Sequence, residues 1–200
     1  MPRVQFWFEL ASNYSYLSAM RIDDMAKVAG IEVEWRPFLL GPIFKAQGWT
    51  TSPFNLYPAK GRNMLRDMER ICQSRGLPFK MPQTFPAPSL LAARIAVAGH
   101  DAGWTAAFAK AVFTAEFGRG LDIADRGTLT DILSALGIDA AEAVEAAERQ
   151  PVKDRLKSNT EDAMRLGVFG APSFITEDGD LFWGDDRLDQ ALSWVSRRTL

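Results

Sequence analysis

The sequence predicts an α/β fold in which an all-helical block interrupts a small sheet. Three observations carry that expectation. A strand, a helix and a second strand follow one another at the start; the alternating pattern vanishes from about residue 40 in favour of a long alanine-rich helical stretch; and two short strands with a closing helix return at the end. The 200 residues, 47% hydrophobic and 24% charged, suit one domain with an insertion or two small ones, and are ample for a buried core.

Val4, Phe6 and Phe8 alternate with Gln5, Trp7 and Glu9, the period of a strand. Tyr16, Leu17, Met20, Ile22, Met25 and Val28 are spaced as the buried face of one helix, which Gly30 stops. Residues 31–36 alternate again until Pro37, which has no N–H to give a ladder. A helix between two strands implies a right-handed crossover and a parallel pair. Gly41-Pro42, Gly48, Pro53, Pro58 and Gly61 then mark an irregular loop. Helical patterns follow at about 64–75, 89–99, 104–117, 128–136, 140–149 and 152–166. Two short strands, 173–176 and 181–183, flank Glu177-Asp178-Gly179-Asp180, a hairpin turn whose Asp-Gly pair supplies positive φ angles. Residues 187–197 form the closing helix, with Leu188, Leu192 and Val195 inward and Asp185 or Asp186 as its cap.

Several function classes are excluded early. A net charge of -2 argues against a nucleic-acid partner, because neutralising phosphates needs clustered Lys and Arg. No secretory signal is visible, and no apolar run reaches the roughly 20 residues that span a bilayer, so no membrane partner is expected. Cys72 is the only cysteine, which rules out an internal disulfide and suits a reducing, cytoplasmic setting. His100 is the only histidine, so neither a catalytic triad nor a multi-histidine metal site is available, and no metal is expected. Cys72 reads as a small buried hydrophobe and His100 as a surface or cap residue.

Ser12 sits where the first strand runs into the first helix, and Gly170-Ala171-Pro172-Ser173 precedes the third strand. In thioredoxin-like folds a strand-to-helix turn holding Cys-x-x-Cys faces a cis-proline loop. Here those two positions are Ser12 and Ser15, and hydroxyls cannot form a disulfide. Dithiol redox chemistry is excluded, and the thiol must come from elsewhere, with glutathione the obvious soluble source. The fold is therefore a thioredoxin-like α/β fold with an inserted all-helical domain. Residues 1–40 and 167–200 form the discontinuous thioredoxin-like domain, and 41–166 the inserted loop and helices. A helix start favours an anion, so Ser12 is the candidate catalytic residue, donating to the sulfur and lowering its pKa. The competing reading is a plain serine N-cap.

Six segments in order resemble the family of kappa-class glutathione transferases and 2-hydroxychromene-2-carboxylate isomerases, within the DsbA-like thioredoxins. They are the run from Phe8 to Leu17, Arg36-Pro37-Phe38, Leu40-Gly41-Pro42-Ile43-Phe44, Pro58-Ala59-Lys60-Gly61, the run from Gly167 to Pro172, and that from Phe182 to Leu188. Many members have Ser-Pro-Tyr or Ser-Pro-Phe where this chain has Ser12-Asn13-Tyr14, and kappa transferases carry Asn where it has Trp49. The resemblance implies glutathione as cofactor. Ala171, exposed by a cis bond to Pro172, then pairs with the cysteinyl backbone, and Asp185 and Asp186 hold the γ-glutamyl end. It further implies a homodimer and a small aromatic carboxylate substrate. Lys60 or Arg62 is then a candidate to hold a carboxylate from glutathione or substrate, and Trp49, Phe44 and Phe54 either wall an aromatic pocket or pack under the long loop. The implied reaction is glutathione-dependent isomerisation by transient thiolate addition. A kappa-like transferase and a non-catalytic thioredoxin-like binding protein are the alternatives.

Overall fold

The computed structural model describes residues 1–197. Strand β1 (Arg3–Phe8) pairs in parallel with β2 (Glu32–Pro37), in a register running from Arg3 opposite Glu32 to Phe8 opposite Pro37. Strand β3 (Ser173–Thr176) returns antiparallel beside β1, and β4 (Leu181–Trp183) closes the edge, giving the order β2-β1-β3-β4. In the hairpin only Gly179 has positive φ, at 87°. Asp178 does not share it, contrary to the Asp-Gly expectation. Instead Thr176 closes the turn, its N–H donating to Asp180 O at 3.1 Å and its O accepting from Gly179 N.

Val4, Phe6, Phe8 and Phe174 face one side of the sheet, where Phe6 lies between the rings of Trp35 and Phe174. The alternation of β1 understates its burial. Trp7 faces the opposite side and is 1% exposed, packed with Phe38, Ile43, Val168 and Ile175 in a second core. A sheet covered by helices on both faces has no solvent side for a period-two pattern to reveal.

The first helical stretch is two helices, α1 (Asn13–Ala19) and α2 (Ile22–Ala29), not one. Arg21, with φ -133°, breaks it, and its guanidinium is held by Asp185 from the far end of the chain. Gly30, at φ 67°, ends α2 as expected. The segment that reads as an irregular loop is largely helical: α3 (Leu40–Ala46), α4 (Pro53–Leu56) and α5 (Pro58–Arg75). Pro53 and Pro58 stand at first helical positions, where a missing N–H costs nothing. Gly61 is a packing residue, because a Cβ there would meet Phe54 O at 2.5 Å.

The insertion continues with α6 (Leu90–Ala98), α7 (Thr105–Phe113), a π-helical turn (Thr114–Gly118), α8 (Arg126–Ala135), α9 (Ala140–Glu148) and α10 (Gln150–Arg165). Asp125 and Asp139 cap α8 and α9 by accepting from Thr128 N and Glu142 N. The described residues close with a 3-10 turn (Asp185–Arg187) and α11 (Leu188–Arg197). The largest core runs unbroken from the sheet into the insertion, with Phe8 against Phe113 at 6.1 Å. Among the described residues, no helix is long and apolar enough to cross a membrane.

Candidate active site

Ser12 is the N-cap of α1, with extended backbone (φ -99°, ψ 111°) and an Oγ that accepts from Ser15 N at 3.2 Å. The same hydroxyl donates to Ala171 O at 3.1 Å, across 159 residues of sequence. The Ala171–Pro172 bond is cis. Capping and confronting the proline loop are thus simultaneous roles of one side chain. Ser15 turns inward: it is fully buried, and its Oγ has no hydrogen-bond partner among the described residues.

Asn13 is buried with its amide on Met64 Sδ, and so ties α1 to α5. Tyr14 reaches the same helix, its hydroxyl donating to Asp67 at 2.8 Å and its ring 6.2 Å from Phe54. Burial, then the Asp67 acceptor and the charges of Asp67, Asp186 and Asp185, push the Tyr14 phenol well above its ordinary range. It stays a donor at any physiological pH.

Asp185 is 4% exposed. Its carboxylate accepts from Ser18 Oγ at 2.9 Å, Arg21 Nε at 3.2 Å and Arg75 at 2.7 Å, and its carbonyl accepts from Arg21 at 2.6 Å. It does not cap: the N-cap position of the 3-10 turn is Gly184, with no side-chain cap bond. Asp186 stands in solvent beside Arg187. Lys60 is exposed over the Tyr57 ring, one turn ahead of Met64 on the same face of α5. Trp49 is half-buried against Phe44, 5.5 Å between centroids. Cys72 is buried, and that burial pushes its thiol up to about 11, so it is no nucleophile at neutral pH.

Sequence patterns do not mark Glu9, although a carboxylate inside the run Phe6-Trp7-Phe8-Glu9-Leu10-Ala11 is the signal for it. Glu9 is 5% exposed, and its carboxylate accepts from Ala11 N at 3.4 Å, Leu40 N at 2.9 Å and Ser89 Oγ at 2.6 Å. Its carbonyl accepts from Ser12 N at 3.0 Å. The turn carrying Ser12 is thereby pinned to the start of α3 and to the start of α6. On the opposite flank, Gly170 leaves room for the indole of Trp183, which packs on Phe169 at 4.9 Å.

A family model described as the DSBA-like thioredoxin domain matches residues 3–195. The chain is 29% identical to a 2-hydroxychromene-2-carboxylate isomerase of Sphingobium xenophagum, over 96% of this chain and 97% of that one. It is 26% identical to glutathione S-transferase kappa 2 of Caenorhabditis elegans, over 96% and 91%. A solved 2-hydroxychromene-2-carboxylate isomerase superposes with a TM-score of 0.88 at 23% identity, over 98% of this chain and 96% of that one.

Proposed function

The chain belongs to the DSBA-like thioredoxin family, and from that premise we propose a glutathione-dependent isomerase of a small aromatic carboxylate. Its reaction is of the kind that interconverts 2-hydroxychromene-2-carboxylate and trans-o-hydroxybenzylidenepyruvate. The observation that carries this reading is the bond between Ser12 and Ala171: a helix-start hydroxyl and a pre-proline carbonyl satisfy each other at 3.1 Å. Those are the two groups that a thiol and a peptide unit of glutathione would take.

Bound glutathione would supply a recyclable thiolate nucleophile, the chemistry needed to make the enone double bond transiently single so that it can rotate. Ser12 turns its hydroxyl from Ala171 O to the sulfur, and the start of α1 adds the positive end of its dipole. Ala171, released by Ser12, offers its backbone to the cysteinyl unit. Asp186 takes the γ-glutamyl ammonium as a charge-assisted pair. Asp185 serves that end of the site through Arg21 and Arg75, which it holds in place. Lys60 meets the substrate carboxylate, and Trp49 walls its ring. The enzyme works in the cytoplasm, where glutathione is kept reduced, as a homodimer.

A kappa-like transferase is the second reading, favoured by the kappa relative at nearly the same identity. It uses every group above and differs in the fate of the sulfur, which stays on the product.

The test is a titration of the bound thiol by its ultraviolet thiolate absorbance. The free thiol ionises near about 8.5, and only a few per cent is thiolate at neutral pH. Wild type should bring the bound thiol well below that value. Ser12→Ala should return it toward 8.5 or so while leaving glutathione affinity largely intact. Identical titration curves would reduce Ser12 to a cap, leaving only a stability loss of about 1 kcal/mol.

A further inference from the structure

Two buried carboxyls lie behind the Ser12 turn, and the chemistry proposed above uses neither. Glu9 answers three donors from three segments, as described. Glu116 sits on the π-helical turn, 0% exposed, and neither of its carboxyl oxygens has a hydrogen-bond partner among the described residues. A π turn carries an extra residue per turn and is often found at functional sites; this one carries Glu116 into the core beside Phe117. The charges that bear on Glu116 are those of Glu9, at the end of β1, and Asp122, just beyond the turn, both negative. Tyr16 packs on the same turn from α1, but burial pushes its phenol up to about 12 and its hydroxyl donates to Pro78 O. Lys80, alongside at Gly120, is solvent-exposed.

Burial pushes both carboxyls up. On Glu9 the donors Ser89, Leu40 and Ala11 offset part of that cost, whereas Glu116 has no donor among the described residues and the charges of Glu9 and Asp122 add to it. The donor-less carboxyl is therefore the one that keeps its proton.

We propose that Glu116 is held as a neutral acid so that Glu9 stays ionised, and that ionised Glu9 is a positioning residue fixing Ser12 against Ala171. Its catalytic consequence rests on the reading of Ser12 given above; the acid pair itself does not. The sign of the pH effect follows. A group ionising higher in the folded chain than in the unfolded one stabilises fully below its unfolded pKa, and that stabilisation is lost as pH rises through the folded value. Ionising Glu116 also sets its charge against Glu9 and loosens the turn.

The experiment uses the protein without glutathione. Thermal midpoints are measured from mildly acidic to alkaline pH for wild type and Glu116→Gln. Wild type should lose stability as pH rises above the ordinary carboxylate range, and Glu116→Gln, neutral throughout, should lack that component. A Glu116→Gln profile parallel to wild type overturns the neutral-acid assignment. For positioning, hydrogen exchange of the Ser15 amide, which donates to Ser12 Oγ, is followed in Glu9→Gln. It should accelerate at least about tenfold more than exchange of the β1 amides, as a local opening does. Uniform acceleration means Glu9 is merely structural. Should wild type fail to bind glutathione, the functional reading falls, and these two arms still decide the acid pair.

Discussion

Asp185 and Asp186 are neighbours with opposite duties. Asp185 is buried among Ser18, Arg21 and Arg75, while the Asp186 side chain is 73% exposed. Removing the first strands two guanidiniums, and Asp185→Ala should cost about 3 kcal/mol, at the low end for a broken buried pair because both arginines keep some solvent. Asp186→Ala should change stability by no more than about 0.5 kcal/mol, as exposed sites do. It should weaken glutathione binding about three- to tenfold, less than a shielded charge-assisted bond is worth. Denaturant unfolding and glutathione titration of both variants check this, and equal stability losses would contradict it. At this scale the Ser12 cap is legible in the sequence because capping is local chemistry, whereas the cis Pro172 and the meeting of Ala171 with Ser12 across 159 residues are legible only through the thioredoxin-like arrangement. Arg21 and Arg75 are not, since they meet Asp185 across 164 and 110 residues. Glu116 is not legible either, because a carboxylate in a helical pattern reads as solvated until a π turn carries it inside.

Elements with a strong period are legible, and those built on punctuation residues are not. The four strands read from the sequence are found within a residue or so at each end. The region from about 40 to 61 reads as loop because Pro and Gly usually break helices, yet Pro53 and Pro58 start helices and Gly61 admits the α4 backbone. Single-chain periodicity also joins α1 to α2, since the break at Arg21 is set by Asp185 from the last turn of the fold. Gly170 repeats the lesson beside the site. Gly170→Ala would put a methyl against the Trp183 indole. Overpacking of that kind costs about 1–3 kcal/mol, and the push should displace Ala171 from Ser12. Lower unfolding stability together with weaker glutathione binding is the expected result. A variant as stable and as avid as wild type would mean that the Trp183 ring simply moves away.

At the scale of the whole molecule, the split sheet with helices between its halves is readable because period two gives way to helical spacing and then returns. What the pattern does not reveal is that one core serves both, with the rings of Phe6, Phe8, Phe113 and Phe117 and the side chain of Leu133 in a single cluster. The site inherits its rigidity from that shared core, since α1 is gripped by the sheet on one side and by α5 and α7 on the other. That such a frame holds glutathione and an enone together is the central proposal, and following thiol and product in one assay tests it. With an o-hydroxybenzylidenepyruvate-type substrate, many product molecules should form per glutathione while free thiol stays constant, and omitting glutathione should stop turnover. Thiol disappearing one-for-one with product, or turnover that ignores glutathione, would contradict the account.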